Sequence, residues 1–374
     1  MRYSPIMKSQ FMKFVHYTFI LVCISFLCNC TSDDDNTQTL IDGTPEPEFT
    51  YFPPTDGSET WDTTSMAELE WNELELQPLL DFLEEKNTKS FMILHNGKIV
   101  VEAYMNGHNN ASPWYWASAG KTLTTTVTGI AQDEGLLDID DAVSEYLGTG
   151  WTNIPLNKEN LISCKNLLSM NSGLDDSLGD DVSTENLQYI TDAGERWAYH
   201  NVYVKLQDVI AEVSNQTWAN YFNTSLKTKI GMTGAWIQTS DFNVYWSNTR
   251  SMARFGLMIS ASGKWEDTRI VSEAFINEAT NTSQSLNQAY GYLWWLNGKS
   301  TYRLPQTQLE FSGELIPNAP EDMYCALGRD DQKIYIVPSK DLVVVRMGEA
   351  ADDINFALST FDDDLWEKIN ALTN

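Results

Sequence analysis

The chain has 374 residues, 42% of them hydrophobic and 12% aromatic, which supports a large core and excludes a disordered or fibrous protein. Its 52 acidic against 24 basic residues give a formal charge of -28. That surface repels phosphates, which argues against nucleic acid and anionic lipid headgroups as ligands.

The first residues differ from the rest. Arg2, Lys8 and Lys13 precede a short apolar run from Phe19 to Leu27, and no acid occurs before Asp33. This is a secretory signal pattern, with too few apolar residues to span a bilayer. The stretch Leu27-Cys28-Asn29-Cys30-Thr31-Ser32-Asp33-Asp34-Asp35 resembles the lipobox of bacterial lipoproteins followed by an acidic export tag. The resemblance implies a signal peptide over 1–29, a lipid on Cys30 with Cys28 as competing position, and a cell-envelope protein touching membrane only through that anchor. Loss of 1–29 removes three positive charges and no negative ones, leaving -31. Of the remaining cysteines, Cys164 and Cys325 read as buried small apolar residues, and no Cys or His spacing suggests a metal site or another cofactor.

Residues 30–64 are rich in Asp, Thr, Pro and Gly and read as an acidic disordered linker, so the ordered domain is expected over 65–374. Leu69, Leu74, Leu76, Leu79, Leu80 and Leu83 have helical spacing before Asn87. Two apolar runs, Phe91 to His95 and Lys98 to Tyr104, flank Asn96-Gly97, the strongest short hairpin signal. Near the other end, Met323 to Leu327, Lys333 to Val337 and Leu342 to Met347 read as strands. A closing helix runs from about Asp353 to Leu372, with Phe356, Leu358, Phe361, Leu365 and Ile369 on or near one face. Strands at both ends, with a mostly helical stretch from Ser118 to about Glu278 between them, predict an α+β fold. Its five-stranded antiparallel sheet draws on 88–105 and 322–348 and is flanked by helices, with a helical subdomain inserted over about 106–300.

Trp116-Ala117-Ser118-Ala119-Gly120-Lys121 places a serine and a lysine three residues apart at a helix start, hence on one face. The run that follows, Thr122 to Ile130, has few charges, so the helix is expected to be buried and Lys121 desolvated. A desolvated lysine loses its proton readily and can act as a base.

From Ser118 onward the chain resembles the serine β-lactamase and penicillin-binding-protein superfamily, in particular its class C-like esterase and amidase branch and, within it, the 6-aminohexanoate-dimer hydrolase group. Ser118-Ala119-Gly120-Lys121 is followed in order by Leu167-Leu168-Ser169-Met170-Asn171-Ser172-Gly173-Leu174, Tyr199-His200-Asn201, Tyr290-Gly291-Tyr292-Leu293-Trp294-Trp295 and the run Gln332 to Val345. The resemblance implies Ser118 as nucleophile, Lys121 as its partner, Tyr199 as the tyrosine of the second motif and Asn201 as a polar group facing substrate. It also implies an oxyanion hole from the backbone N–H of Ser118 and of a residue on the third-motif strand. The usual Lys-Thr-Gly or His-x-Gly of that strand is absent. Counting back from Pro338 without a gap places Met323-Tyr324-Cys325 there and Ala326 at the oxyanion position; a gap would make it Gly328, with Arg329 beyond as a cation. Trp295, Trp294, Tyr290 and Trp116 are candidate walls or core residues.

A Ser-His-Asp triad fits poorly, since the mature chain has only His95, His108 and His200, with His200 pointing away from a pocket that Tyr199 faces. Trp116 also stands where a G-x-S-x-G elbow needs glycine. The expected function is hydrolysis of a small-molecule ester or amide through a Ser118 acyl-enzyme, with Lys121 and Tyr199 as acid/base groups. A catalytically silent envelope binding protein on the same fold, or a β-lactamase or D-aminopeptidase-type peptidase, is the alternative.

Overall fold

The Asn96-Gly97 pair turns the chain as its chemistry dictates. Asn96 (φ 47°) and Gly97 (φ 80°) adopt the left-handed backbone that a two-residue hairpin turn requires. They join β1 (Thr88–His95) to β2 (Lys98–Tyr104) as an antiparallel pair. In this computed structural model the described residues are 50–239, 242–352 and 359–374. The segment expected to be a signal peptide, Cys30 and the expected linker as far as residue 49 lie outside the described residues, as do Phe356 and Leu358, expected in the closing helix.

The sheet is completed by β3 (Trp295–Leu296), β4 (Tyr324–Gly328), β5 (Gln332–Val337) and β6 (Leu342–Gly348). Its order is β2-β1-β6-β5-β4-β3, antiparallel throughout. The α+β class and the five expected strands are therefore present; β3 is an additional edge strand, too short to leave a pattern in sequence. Every residue of β5 and β6 is buried, which is why these strands read as continuous runs and not as alternating ones.

Four helices matter for the site: α1 (Leu76–Glu85), α2 (Lys121–Asp133), α3 (Thr249–Ser260) and α4 (Thr360–Thr373). Ile334 of β5 and Val343 of β6 face Gly256 of α3, whereas the next residue of β5, Tyr335, meets Trp366 of α4 edge-on at 5.6 Å. Neighbouring strand residues point to opposite faces, so α3 and α4 cover the two sides of the sheet. The helix α1 packs on α4, with Phe82 stacked on Phe361.

Helix α2 is buried from Lys121 through Ala131 despite its threonines. Their hydroxyls are satisfied locally: Thr126 donates to Thr122 O (3.0 Å), Thr128 to Thr124 O (2.8 Å) and Thr125 to Tyr292 O (2.8 Å). The inserted region is not wholly helical. Trp114–Tyr115, Asn243–Ser247 and Ala235–Gln238 form a small antiparallel sheet beside the start of α2, from strands too short and too exposed to announce themselves.

Residues 50–64, assigned by composition to the linker, lie along the domain. Arg254 donates to Pro53 O (3.3 Å) and Pro54 O (2.8 Å), the Trp61 indole donates to Gly97 O (2.7 Å), and Thr63 bridges to Ile99. Phe52 packs against Trp265 at 5.1 Å and Trp61 is buried, so a few aromatic side chains together with main-chain carbonyls dock a stretch whose overall composition is polar.

A methyl group on Gly256 would stand 2.6 Å from Val343 Cγ1 and 3.2 Å from Ile334 Cγ2. Gly256→Ala is therefore expected to lower stability by about 1–3 kcal/mol, seen as a lower urea midpoint at unchanged slope. An unchanged midpoint would show that α3 has room against the sheet.

Candidate active site

Ser118 sits in a short 3-10 turn, Ala117–Gly120, that runs straight into α2. The residue before it, Ala117, has φ 47°, a left-handed value that costs a side-chain-bearing residue on the order of 1–3 kcal/mol. Surrounding contacts hold this conformation. The indole of Trp116 is buried and donates to Ser247 Oγ (2.8 Å), while its backbone N–H donates to Tyr245 O (2.9 Å). The end of β4 closes on the other side: a Cβ on Gly328 would lie 2.5 Å from Trp116 O and 3.0 Å from Ala119 N, so only glycine permits this approach.

Lys121, the first residue of α2, is 2% exposed and its Nζ donates to Ser118 Oγ at 2.8 Å. Its amine also lies 4.9 Å from the ring centre of Tyr199 and 4.7 Å from that of Tyr203. Among the described residues no carboxylate forms an ion pair with it. Burial drives its pKa down to about 7, against a weaker upward pull from Asp180. Tyr199 moves the other way: burial pushes its hydroxyl up to about 12, although a hydrogen bond with Ser118 favours ionisation. The serine oxygen is thus met by an amine that gives up its proton readily, beside a phenol that keeps its own near neutrality.

These groups open into a cavity of about 450 Å³. Asn201 lines it and donates to Asp180 Oδ1 (2.6 Å). Three carboxylates border the space, each with a partner: Asp176 with Arg196 at 2.7 Å, Asp180 with the Asn201 amide, and Asp330 with the Tyr115 hydroxyl at 2.6 Å. Arg329 lies on the lip with its side chain 68% exposed.

Some residues singled out in the sequence stand elsewhere. Trp295 is 2% exposed and stacks behind Tyr199 with ring centres 5.8 Å apart, so it supports the tyrosine and does not line the cavity. Trp116, Tyr290 and Trp294 are likewise core residues. His200, in extended backbone just before the 3-10 turn Asn201–Val204, does border the cavity alongside Tyr199. Its ring is buried with Nδ1 unpartnered, and burial lowers its pKa. Cys164 and Cys325 are buried free thiols.

Ala326 is buried and does not line the cavity. Met323 O accepts from Asn297 N (2.9 Å) on the β3 side of β4. Main-chain groups alternate along a strand, so those of Ala326 face β5, where it pairs with Ile334, while Arg329, the first residue of the turn past β4, borders the cavity. Gly328 pairs directly with Gln332, which leaves three residues, Arg329 to Asp331, for the β4–β5 turn. Sequence reading also missed Tyr115 and Phe242, which line the cavity. Tyr115 lies three residues before Ser118 and could have been found by proximity; Phe242 comes from the small sheet and gave no signal.

The sequence matches the Beta-lactamase family over residues 83–355. It is 25% identical over 297 residues to an uncharacterized protein of Alkalihalophilus pseudofirmus, covering 69% of this chain and 82% of that one. The fold is similar to that of a Bacillus anthracis protein named as a 6-aminohexanoate-dimer hydrolase, with TM-score 0.65, 17% identity, and 84% and 88% of the two chains covered. It is also similar to a beta-lactamase from Mycobacterium bovis, with TM-score 0.57, 17% identity, and 79% and 99% covered. With nearly the whole ordered domain matched, from α1 past β6, this chain belongs to the beta-lactamase family.

Proposed function

We propose that the chain is a serine hydrolase that cleaves ester or amide bonds through an acyl-enzyme on Ser118. The observation that carries this reading is the buried Lys121 amine, 2.8 Å from Ser118 Oγ and, among the described residues, without a carboxylate partner. A lysine placed there for stability would need a counter-ion; a base needs to lose its proton.

In the first step Lys121 Nζ takes the hydroxyl proton as Ser118 Oγ attacks the carbonyl carbon. The oxyanion is held by the N–H of Ser118 and, in place of Ala326, the N–H of Arg329, donors typically worth about 2.7–4 kcal/mol each. The tetrahedral intermediate collapses, the leaving group departs with a proton passed through Tyr199, and water hydrolyses the ester on Ser118. The opposed pKa directions favour Lys121 as proton acceptor and Tyr199 as donor.

Ser118→Ala should abolish turnover and labelling by a fluorophosphonate probe while leaving the fold intact. Full activity in that variant would refute the mechanism, and a wild-type chain that takes no label would favour the silent binding protein.

Because neutral Lys121 is the active form, kcat/KM should rise with pH at unit slope to a bend near pH 7 and then level. The sign follows from the lowered pKa: protonation below about 7 removes the base. A flat profile from pH 5.5 to 8.5 would assign the proton transfer to another group.

Substrate preference follows from the lip. Ala326-Leu327-Gly328 supplies neither the cation nor the hydroxyl that would anchor a β-lactam carboxylate, such bonds being worth roughly 1.5–3 kcal/mol. Asp176, Asp180 and Asp330 repel an anion further, and the exposed Arg329 is screened by water. Nitrocefin should therefore give a much lower kcat/KM than p-nitrophenyl acetate or butyrate. The reverse order would show that Arg329 acts as the missing anchor.

A further inference from the structure

The turn that follows β4 carries two adjacent left-handed residues with side chains, Asp330 and Asp331, both at φ 59°. Such a pair persists only where its surroundings fix it. The backbone is gripped first: Arg346, fully buried, donates through Nη1 to Asp330 O and Asp331 O, both at 2.9 Å, and Gln332 Nε2 donates to Asp330 O at 2.9 Å. The Asp331 carboxylate, also fully buried, accepts from Ala351 N (2.9 Å) and Ser359 Oγ (3.2 Å) and lies 3.1 Å from Lys333 Nζ. Lys333 in turn reaches Asp362 (2.8 Å), which forms a capping box with Ser359 at the start of α4.

Buried ion networks of this kind are weak stabilisers, because desolvation offsets the pairing and apolar residues of similar volume would hold the core as well. This one is grouped at the β4–β5 turn, which also carries Arg329. We propose that Asp331, held by Lys333 and the cap of α4, is a positioning residue that keeps the Arg329 amide aimed at the oxyanion. The proposal rests on the acyl-transfer reading above. It makes the N-terminus of α4, on the far side of the sheet, part of what sets the rate.

Asp331→Gly is the direct test, since glycine accepts the left-handed backbone and Lys333 keeps Asp362. With p-nitrophenyl butyrate, kcat should fall by about 10²- to 10³-fold with KM changed by less than about threefold, the pattern of a donor lost from the transition state. Binding of phenylboronic acid, whose adduct with Ser118 places an oxygen in the same hole, should weaken in parallel. A folded variant with wild-type kcat and boronate affinity overturns the proposal. If Asp331→Gly does not fold, Ser359→Ala removes a single bond to the carboxylate and should lower kcat and boronate affinity together; unchanged values there overturn it equally. A wild-type chain that neither hydrolyses the ester nor takes the fluorophosphonate label overturns the acyl-transfer reading and the clamp with it, whereas an active wild type with an indifferent variant overturns the clamp alone.

Discussion

The architecture of the site depends on keeping one amine out of water. Lys121 enters the interior as the first residue of α2, where an ammonium lacks solvent and, among the described residues, a paired carboxylate. Charging such a group costs free energy, so its proton is held weakly. Everything around it serves that exclusion. The rings of Tyr199 and Tyr203 cover it, and Trp295 and Tyr290 pack behind Tyr199. Along the helix that carries it, Thr122, Thr126 and Thr128 donate to carbonyls one turn back and Thr125 donates to Tyr292 O.

The sheet contributes placement. A fully buried β5 and β6 form a rigid centre, and β4 brings Gly328 against the nucleophile turn at a separation no other residue would allow. The strained Ala117 is held between that strand and the buried Trp116. Local strain at Ser118 is thus maintained by packing far from it, a division of labour in which core stability offsets a costly conformation. Polar residues inside the sheet follow the same logic: Lys333, Arg346, Asp331 and Asp362 are grouped at the turn that borders the site.

Much of this was legible in sequence because the signals were local. Asn96-Gly97 encoded its own turn, the apolar runs of β5 and β6 reflected burial on both faces, and the three-residue spacing of Ser118 and Lys121 placed both on one side of a turn. Tyr199 and Asn201 could be read only through the order of motifs, since nothing in their own neighbourhood distinguishes them from core residues. What stayed hidden was non-local. Whether Ala326 or Arg329 faces the nucleophile depends on the length of one hairpin turn, and a one-residue change in register reverses which main-chain groups point outward. Trp295 looked like a wall because aromatic residues suit either role; only the stacking on Tyr199 assigns it to support. The docking of residues 50–64 was concealed because it uses a few aromatic side chains and backbone carbonyls within an otherwise polar stretch.

The central claim is that buried Lys121 gives up its proton far more readily than an ordinary lysine, and its own titration tests this most directly. With lysines labelled at Cε, the carbon shift of Lys121, assigned by its absence in Lys121→Met, should titrate with a midpoint near 7. Titration of that resonance near the ordinary lysine value of about 10.4 would mean that the amine stays charged beside Ser118, and the account of how this serine is activated would be wrong.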